Sequence, residues 1–166
     1  MALSDDKTPQ QARQLQELRD DLKARSYSDT EPVFILTTES WFHSGIPDQC
    51  FSISGYSIFR CDSLTTPGYA GDCIYALNIV LDTFLISSYS LHTPGIDNIF
   101  LDVNSKDFST TIACIYHPRS SEHDKTIFDH IENLSLDTGK NTFIDGDFNF
   151  GDIGQLVTKP TRYGIN

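Results

Sequence analysis

Basic side chains are scarce in this 166-residue sequence. It has 12 Lys and Arg against 23 Asp and Glu, which gives a formal net charge of −11. A protein that binds nucleic acid by charge alone needs a surplus of Lys and Arg to neutralise phosphates. The composition therefore argues against a free-standing nucleic-acid-binding module.

Closely spaced cysteine pairs and long apolar runs are also missing. The four cysteines form no C-x-x-C pair and no histidine pair has zinc-finger spacing, so we expect no structural zinc site. Free thiols are the favoured state, although Cys50 and Cys61 flank a possible hairpin and could pair in an oxidising compartment. The longest apolar stretch, Cys73 to Leu81, is too short to span a bilayer. The polar N-terminus lacks a signal-peptide pattern, so we expect an intracellular protein without a membrane partner.

Enough apolar material is present for one folded domain. The hydrophobic fraction is 39%, and it includes 11 Phe and 7 Tyr residues, which makes global disorder an unsuitable interpretation. At this length one domain is the natural number. The sequence predicts a flexible tail over residues 1–9 and a single domain over residues 10–166.

Apolar spacing predicts two helices and seven strands. Leu15, Leu18 and Leu22 form a helical stripe, and a second stripe contains Ile127, Phe128, Ile131 and Leu134. The helices are predicted over 10–25 and 124–134, and the strands over 33–37, 56–60, 73–81, 84–89, 99–103, 111–116 and 142–144. Strands dominate and the helices stand near the two ends, which favours mixed sheets with helices packed outside them.

Two of the predicted strands end in acidic residues. One runs into Glu39 and the other into Asp145-Gly146-Asp147-Phe148-Asn149. Carboxylates at the mouth of a buried strand suit a hard cation such as Mg²⁺, which prefers oxygen ligands and keeps several waters. On an extended strand, Asp147 and Asn149 would face the same side, and Gly146 would remove side-chain bulk near a substrate. Taken alone, a solvated strand-end carboxylate at Glu39 and an Asx turn at Asp147 are the simpler interpretations.

Several motifs that occur in a fixed order favour the functional interpretation of these residues instead. Together the motifs resemble the endonuclease/exonuclease/phosphatase superfamily, and in particular the endonuclease domain of jockey-type non-LTR retrotransposons. The matching stretches are Ala12-Arg13-Gln14-Leu15, Ile35 to Phe42 with T-E-x-W, Gly55 to Asp62 with G-Y-x-x-x-R-x-D, Gly71 to Tyr75, Ile115 to Ser121 with Y-x-P, the G-D-F-N at 146–149, and Gln155 to Arg162 with P-T-R. Together they cover about residues 11–166.

This resemblance implies an α/β fold: a two-layer mixed β-sandwich flanked by helices, DNase I-like and incomplete at the C-terminus. It implies that Glu39 binds a catalytic Mg²⁺ or Mn²⁺ and that Tyr116 hydrogen-bonds the scissile phosphate. Asp147 would orient or deprotonate the attacking water, and Asn149 would hold Asp147 and the phosphate. The implied reaction is hydrolysis of a DNA phosphodiester that leaves a 3′-hydroxyl.

The sequence departs from the family in three places. Gln11 stands at a possible first-motif position where the family has Asn, Asp72 interrupts the glycine-rich pattern of the family, and the chain stops at Asn166 without the family's Ser-Asp-His motif. We therefore expect weak or no activity from this chain alone. Arg119, Thr161 and Arg162 are further candidate substrate-binding residues.

The implied partners are DNA and, on a longer polyprotein, a reverse transcriptase, with the nucleus as the implied compartment although no import signal is seen. Two alternatives stay open. One is a non-catalytic remnant or interaction module of the same fold, and the other is a phosphoesterase of another superfamily branch.

Overall fold

The computed structural model describes residues 7–26, 31–42, 44–62, 71–91, 95–117, 124–136 and 141–149. Arg119, Thr161 and Arg162, and residues 1–6 of the predicted tail, lie outside these ranges. Residues 7–9, also assigned to the tail, form the start of the first helix. No helix in the described ranges combines the length and apolarity needed to span a membrane.

The described residues form three helices and seven strands, and most begin and end close to the predicted bounds. The helices are α1 (Lys7–Ser26), α2 (Asn78–Thr83) and α3 (Asp124–Leu136). The strands are β1 (Phe34–Thr37), β2 (Tyr56–Cys61), β3 (Asp72–Leu77), β4 (Leu85–Tyr89), β5 (Asp97–Asn104), β6 (Ser109–Tyr116) and β7 (Asn141–Asp147). A 3₁₀ turn covers Asp48–Phe51.

The strands are arranged in two sheets. The first is antiparallel with the order β1-β3-β2, and the second has the order β4-β5-β6-β7 with a single parallel pair, β6 with β7. The predicted two-layer mixed sandwich is therefore confirmed. All four cysteines are free thiols, and Cys73 and Cys114 are buried.

The main core lies between the two sheets. It is built from buried side chains that alternate along the central strands: Ile74, Ala76, Ile99, Leu101, Val103, Ile112 and Cys114, with Val80 from α2. Alternation places every second residue of a strand on the same face, which is why one strand can supply both this core and an outer one.

Each sheet also carries one long helix on its outer face. Leu22 of α1 is buried against Tyr75 and Cys73 of β3, with Leu15 and Leu18 packed beside it, as the stripe predicted. Ile127 of α3 packs against β5 and β6 in a third cluster with Ile131 and Leu134. The layers therefore follow the order helix, sheet, sheet, helix. Phe128 was predicted in the same stripe but is 38% exposed, because it lies at the margin of the contact.

One predicted strand is wrong in its second half. The apolar run 73–81 was taken as a single strand, but β3 ends at Leu77 and the helix α2 follows. The Asn78 N–H donates to the Gly55 carbonyl at 2.8 Å, and the Asn78 side chain accepts from Ser57 at 2.9 Å. These contacts to the neighbouring loop and strand turn the chain out of the sheet.

In the part of the chain that the structure describes, the sandwich is open along one side. All four residues of β1 are only half-buried, because only β3 pairs with it there. Across from it, β7 has a similar unpaired edge, and Phe143 is 63% exposed. A largely apolar groove of about 640 Å³ lies between these two edges and is lined by Phe34, Leu36, Phe143 and Ile144 among others.

Candidate functional site

The predicted site residues at the strand ends come together at one end of the sandwich. Glu39 follows β1 by two residues, and Tyr116 ends β6. The Tyr116 hydroxyl lies close enough to the Glu39 carboxylate for Glu39 to raise the pKa of Tyr116, which brings the ends of the two sheets together. Asp147 ends β7 and is the direct cross-strand partner of Tyr116 in the parallel register. Glu39, Tyr116 and Asp147, which are distant in sequence, therefore share one location.

Asn149 reaches this location by a route that differs from the prediction. The strand ends at Asp147, so Asn149 is not two residues farther along an extended strand. Its backbone adopts φ 43°, and its N–H donates to Asp147 Oδ1 at 3.2 Å. This is the geometry of an Asx turn, in which an aspartate side chain accepts a backbone bond two residues on. Asn149 thereby restrains the Asp147 carboxylate through its backbone.

Backbone strain is concentrated around these residues. Among the described non-glycine residues, only Glu39 (φ 50°), Trp41 (φ 56°) and Asn149 (φ 43°) have positive φ. Residues other than glycine rarely adopt a positive φ. Those that do are held in this conformation by the surrounding structure, commonly at functional sites. Glu39 and Asn149 are predicted site residues, and Trp41 belongs to the same T-E-x-W motif as Glu39.

Position 146 is a glycine for a structural reason that the sequence did not reveal. Its φ is +152°, and a Cβ built on it would lie 1.9 Å from the Ile115 carbonyl oxygen. The glycine is therefore required by the close approach of β6. The predicted reason, room for a substrate, is replaced by this contact.

The loop after β7 is held by His117. The His117 N–H donates to the Asp147 carbonyl at 2.8 Å, and its Nδ1 lies 3.1 Å from the Phe148 carbonyl oxygen. The side chain is buried, with 2% exposure. Its contacts hold the backbone at Asp147 and Phe148, next to the Asp147 carboxylate.

Two further carboxylates lie at the same end of the sandwich. Asp72 is the first residue of β3 and Asp97 the first residue of β5. Asp72 was noted in the sequence as a departure from a glycine-rich pattern, and Asp97 was not singled out. The signal that could have found them is their position at strand beginnings that meet the ends of β1 and β6, which requires the sheet order to be known.

The electrostatics of the site follow from burial and from this clustering of acids. Burial, followed by the neighbouring carboxylates of Glu39, Asp147 and Asp97, raises the pKa of Tyr116 above 10.0. Burial, followed by the charge of Asp97, raises the pKa of Asp72 from 3.8 to about 8. Because its pKa is raised, the Tyr116 hydroxyl stays protonated at neutral pH and can donate a hydrogen bond.

Gln11 lies within α1, and its side chain is outside the described part of the structure. Gln14, one turn later, lines a cavity of about 380 Å³ between α1 and the end of β1, together with Glu39 and Trp41. Gln14 was not predicted as a site residue, but it lines the same cavity as Glu39.

The donor set fits a hard cation held with few protein ligands. Within the described ranges no three His, Cys, Asp or Glu side chains form a group that could hold a metal by themselves. The site instead offers the exposed Glu39 carboxylate, with Asp147 and the Asn149 amide nearby, and all of their donors are oxygens suited to Mg²⁺. Mg²⁺ usually keeps several waters and needs only one or two carboxylates.

Solved structures share this architecture. The catalytic domain of human Nocturnin matches with a TM-score of 0.55 and 14% identity, over 81% of this chain and 57% of that domain. TDP2 from D. rerio with 14 humanising mutations matches with a TM-score of 0.58 and 11% identity, over 95% of this chain and 67% of the other. TDP2 from Caenorhabditis elegans matches at 0.56 and 13%, over 83% and 43%.

This chain has the DNase I-like fold. Nocturnin and TDP2 both belong to the endonuclease/exonuclease/phosphatase group of that fold, as the sequence motifs implied for this chain. No protein-family model matches the sequence, and no curated protein matches it. The chain spans 57% of the Nocturnin domain, so its DNase I-like sandwich corresponds to only part of that structure. The retrotransposon branch stays a prediction.

Proposed function

We propose that this chain is part of a metal-dependent phosphodiesterase that nicks DNA, and that it derives from the endonuclease region of a non-LTR retrotransposon protein. The observation that carries the proposal is the convergence of two carboxylates on Tyr116: Asp147 is its cross-strand partner, and Glu39 lies close enough to raise its pKa. It brings a candidate metal ligand, a phosphate donor and a candidate base within one small region. A TDP2 structure in the same fold was crystallised with a single-strand DNA product, which supports a nucleic-acid substrate.

Each side chain has one task in this mechanism. Asp147 accepts the proton of a water that attacks the phosphorus, and the Asn149 N–H keeps its carboxylate in place. The Tyr116 hydroxyl donates to a phosphate oxygen and stabilises the charge that develops there. The bond from phosphorus to the 3′ oxygen breaks, and that oxygen takes up a proton to leave a 3′-hydroxyl. A divalent cation bound at Glu39 would supply the remaining positive charge.

The retrotransposon assignment gives this hydroxyl a purpose. It would prime reverse transcription by a polymerase on the same polyprotein, in the nucleus. The basic surface that DNA binding requires would come from that polymerase, because this chain has a net charge of −11.

The first test is nicking of a supercoiled plasmid in the presence of Mg²⁺. We expect slow nicking that EDTA stops and that Asp147→Asn lowers by about a hundredfold or more, the contribution of a general base. Asp107→Asn is the matched control, because Asp107 is an exposed carboxylate in the turn between β5 and β6. Equal rates for wild type and Asp147→Asn would refute the assigned chemistry.

The second test measures the cation without relying on activity. Mn²⁺ binding, followed by its electron paramagnetic resonance signal, should weaken in Glu39→Gln and persist in Asp107→Asn. Unchanged Mn²⁺ binding in Glu39→Gln would remove Glu39 as the metal ligand.

A non-catalytic module of the same fold is the second candidate. It is favoured by the lack, within the described ranges, of a complete group of three metal-binding side chains. It predicts that wild type and Asp147→Asn are equally inactive, whereas Mg²⁺-dependent nicking by wild type alone would exclude it.

A further inference from the structure

The carboxyl group of Asp72 is buried in a place where an aspartate is unusual. Asp72 has 0% exposure at the start of β3. Aspartate is almost never fully buried unless it is paired, and among the described residues no cationic side chain pairs with this one. Its burial therefore needs a reason other than an ion pair.

The reason is a hydrogen bond between the two sheets. Asp72 Oδ2 accepts the backbone N–H of Tyr116 at 3.0 Å, so a side chain of the first sheet holds the last residue of β6 in the second. A reciprocal contact lies beside it, because Asp97 Oδ2, on the second sheet, accepts the Gly71 N–H at 3.0 Å. Each sheet thus supplies one carboxylate to a backbone N–H of the other.

These contacts close a ring around the candidate site. The Ser40 N–H and hydroxyl both donate to the Gly71 carbonyl, at 2.8 and 3.0 Å, which holds the segment that carries Glu39. Gly71 continues into Asp72, Asp72 accepts from the Tyr116 backbone N–H, and the Tyr116 hydroxyl lies beside Glu39. Removal of the Asp72 acceptor would open this ring at the Tyr116 N–H, which this bond holds in addition to the sheet pairing of Tyr116.

The other oxygen of Asp72 indicates that this position was not chosen for stability. Among the described residues Oδ1 is buried and has no hydrogen-bond partner. A buried polar atom without a partner costs free energy and calls for an explanation. An apolar residue at the start of β3 would avoid that cost but would leave the Tyr116 N–H without its acceptor.

We propose that Asp72 is a positioning residue for the candidate site: by holding the Tyr116 backbone it keeps the Tyr116 hydroxyl against Glu39 and in line with Asp147. Its consequences for catalysis rest on the proposed function, whereas its consequences for Tyr116 do not. Asp72 makes no contact with a substrate in this scheme.

The test compares Asp72→Val with Asp72→Asn. Valine has a similar size and suits a strand but offers no acceptor, whereas asparagine keeps an oxygen in the same position. In Asp72→Val we expect the Tyr116 amide proton to exchange with solvent at least about tenfold faster, since it loses its hydrogen bond. Asp72→Asn should restore slow exchange. Asp102→Asn is the matched control, a carboxylate on β5 that accepts a hydrogen bond from Thr111 at 2.7 Å.

Nicking kinetics provide the functional readout. Asp72→Val should lower kcat by about a hundredfold, the size expected for misplacement by about an ångström, with KM unchanged, and Asp72→Asn should retain activity. If Asp72→Val fails to fold, Asp72→Ala replaces it as the variant without an acceptor. The exchange of the Tyr116 amide is then compared between Asp72→Ala and Asp72→Asn. Slow Tyr116 exchange in a folded variant without the acceptor would overturn the proposal. Inactive wild-type protein with the expected amide behaviour would overturn the proposed function alone.

Discussion

Replacement of Asp72 by asparagine is predicted to stabilise the protein, and by an amount that depends on pH. Burial, and then the charge of Asp97, raises the pKa of the Asp72 carboxyl from 3.8 to about 8 in the folded state. In the unfolded chain the same group has its ordinary pKa. Between these values the folded protein binds one proton more than the unfolded chain, so wild-type stability falls as pH rises.

The magnitude follows from the two pKa values. Each pH unit in this window changes the free energy of unfolding by about 1.4 kcal/mol. Neutral pH lies roughly three units above the unfolded pKa, so at pH 7 the buried carboxyl costs wild type about 4 kcal/mol relative to a neutral isostere. Asparagine cannot ionise and keeps an acceptor for the Tyr116 N–H. Its advantage should therefore be small near pH 4, grow up to about pH 8 and stay constant above it.

Urea unfolding of wild type and Asp72→Asn from pH 5.5 to 9 measures this difference. Titratable groups near Asp72 are Asp97, Glu39 and the thiols of Cys61, Cys73 and Cys114, and both proteins contain all of them, so their effects largely cancel. Asp102→Asn controls for the loss of a carboxylate acceptor elsewhere in the same sheet. A difference that does not change with pH, or an Asp72→Asn protein that is less stable than wild type at pH 7, would refute the reasoning.

Three further predictions concern other parts of the molecule. Gly146→Ala should lower the free energy of unfolding by about 3 kcal/mol or more, because its Cβ would overlap the Ile115 carbonyl. Gly55→Ala is the control, because the space around Gly55 is open, and it should lower the free energy of unfolding by only about 1 kcal/mol. Equal losses in urea unfolding would contradict this. Phe143→Ser should reduce the binding of a hydrophobic dye to the groove and change stability by less than about 1 kcal/mol, in contrast to about 3–5 kcal/mol for the buried Phe100→Ala. Tyr116→Phe should lower the nicking rate by about tenfold or more without loss of stability. Subtracting the variant's absorbance from that of wild type during a pH titration isolates the Tyr116 phenol, which should ionise above pH 10.0. Ionisation below pH 10.0 would contradict the assigned environment.

Local patterns in the sequence were sufficient for most of the elements. The stripe of Leu15, Leu18 and Leu22 defined α1, and alternating apolar runs located the strands, because these patterns report which face of an element is buried. They failed at Asn78, where the same apolar run continues from β3 into α2. The choice there is made by contacts to Gly55 and Ser57, which are distant in sequence and invisible to a local pattern.

The candidate site was predictable only in part, and for the same reason. Motifs named Glu39, Tyr116 and Asp147 because their residue types and order are distinctive. Asp97 belongs to no such motif and Asp72 departs from its motif, and they come together only because β3 and β5 begin at the same end of the packed sheets. The sequence left both an Asx turn and an extended strand open at Asp147, because the two have the same local sequence.

The acidic composition also has a more specific meaning once the site is known. Glu39, Asp72, Asp97 and Asp147 all lie at the end of the sandwich where the candidate site forms, and four ionised carboxylates there would repel a phosphate. A neutral Asp72 at pH 7 removes one of these charges, and a divalent cation at Glu39 would offset two more. Phosphate access should therefore depend on the cation even before chemistry begins. In wild type, binding of a short DNA strand should require Mg²⁺ or Ca²⁺, and Glu39→Gln should weaken the requirement; cation-independent binding by wild type would contradict this account.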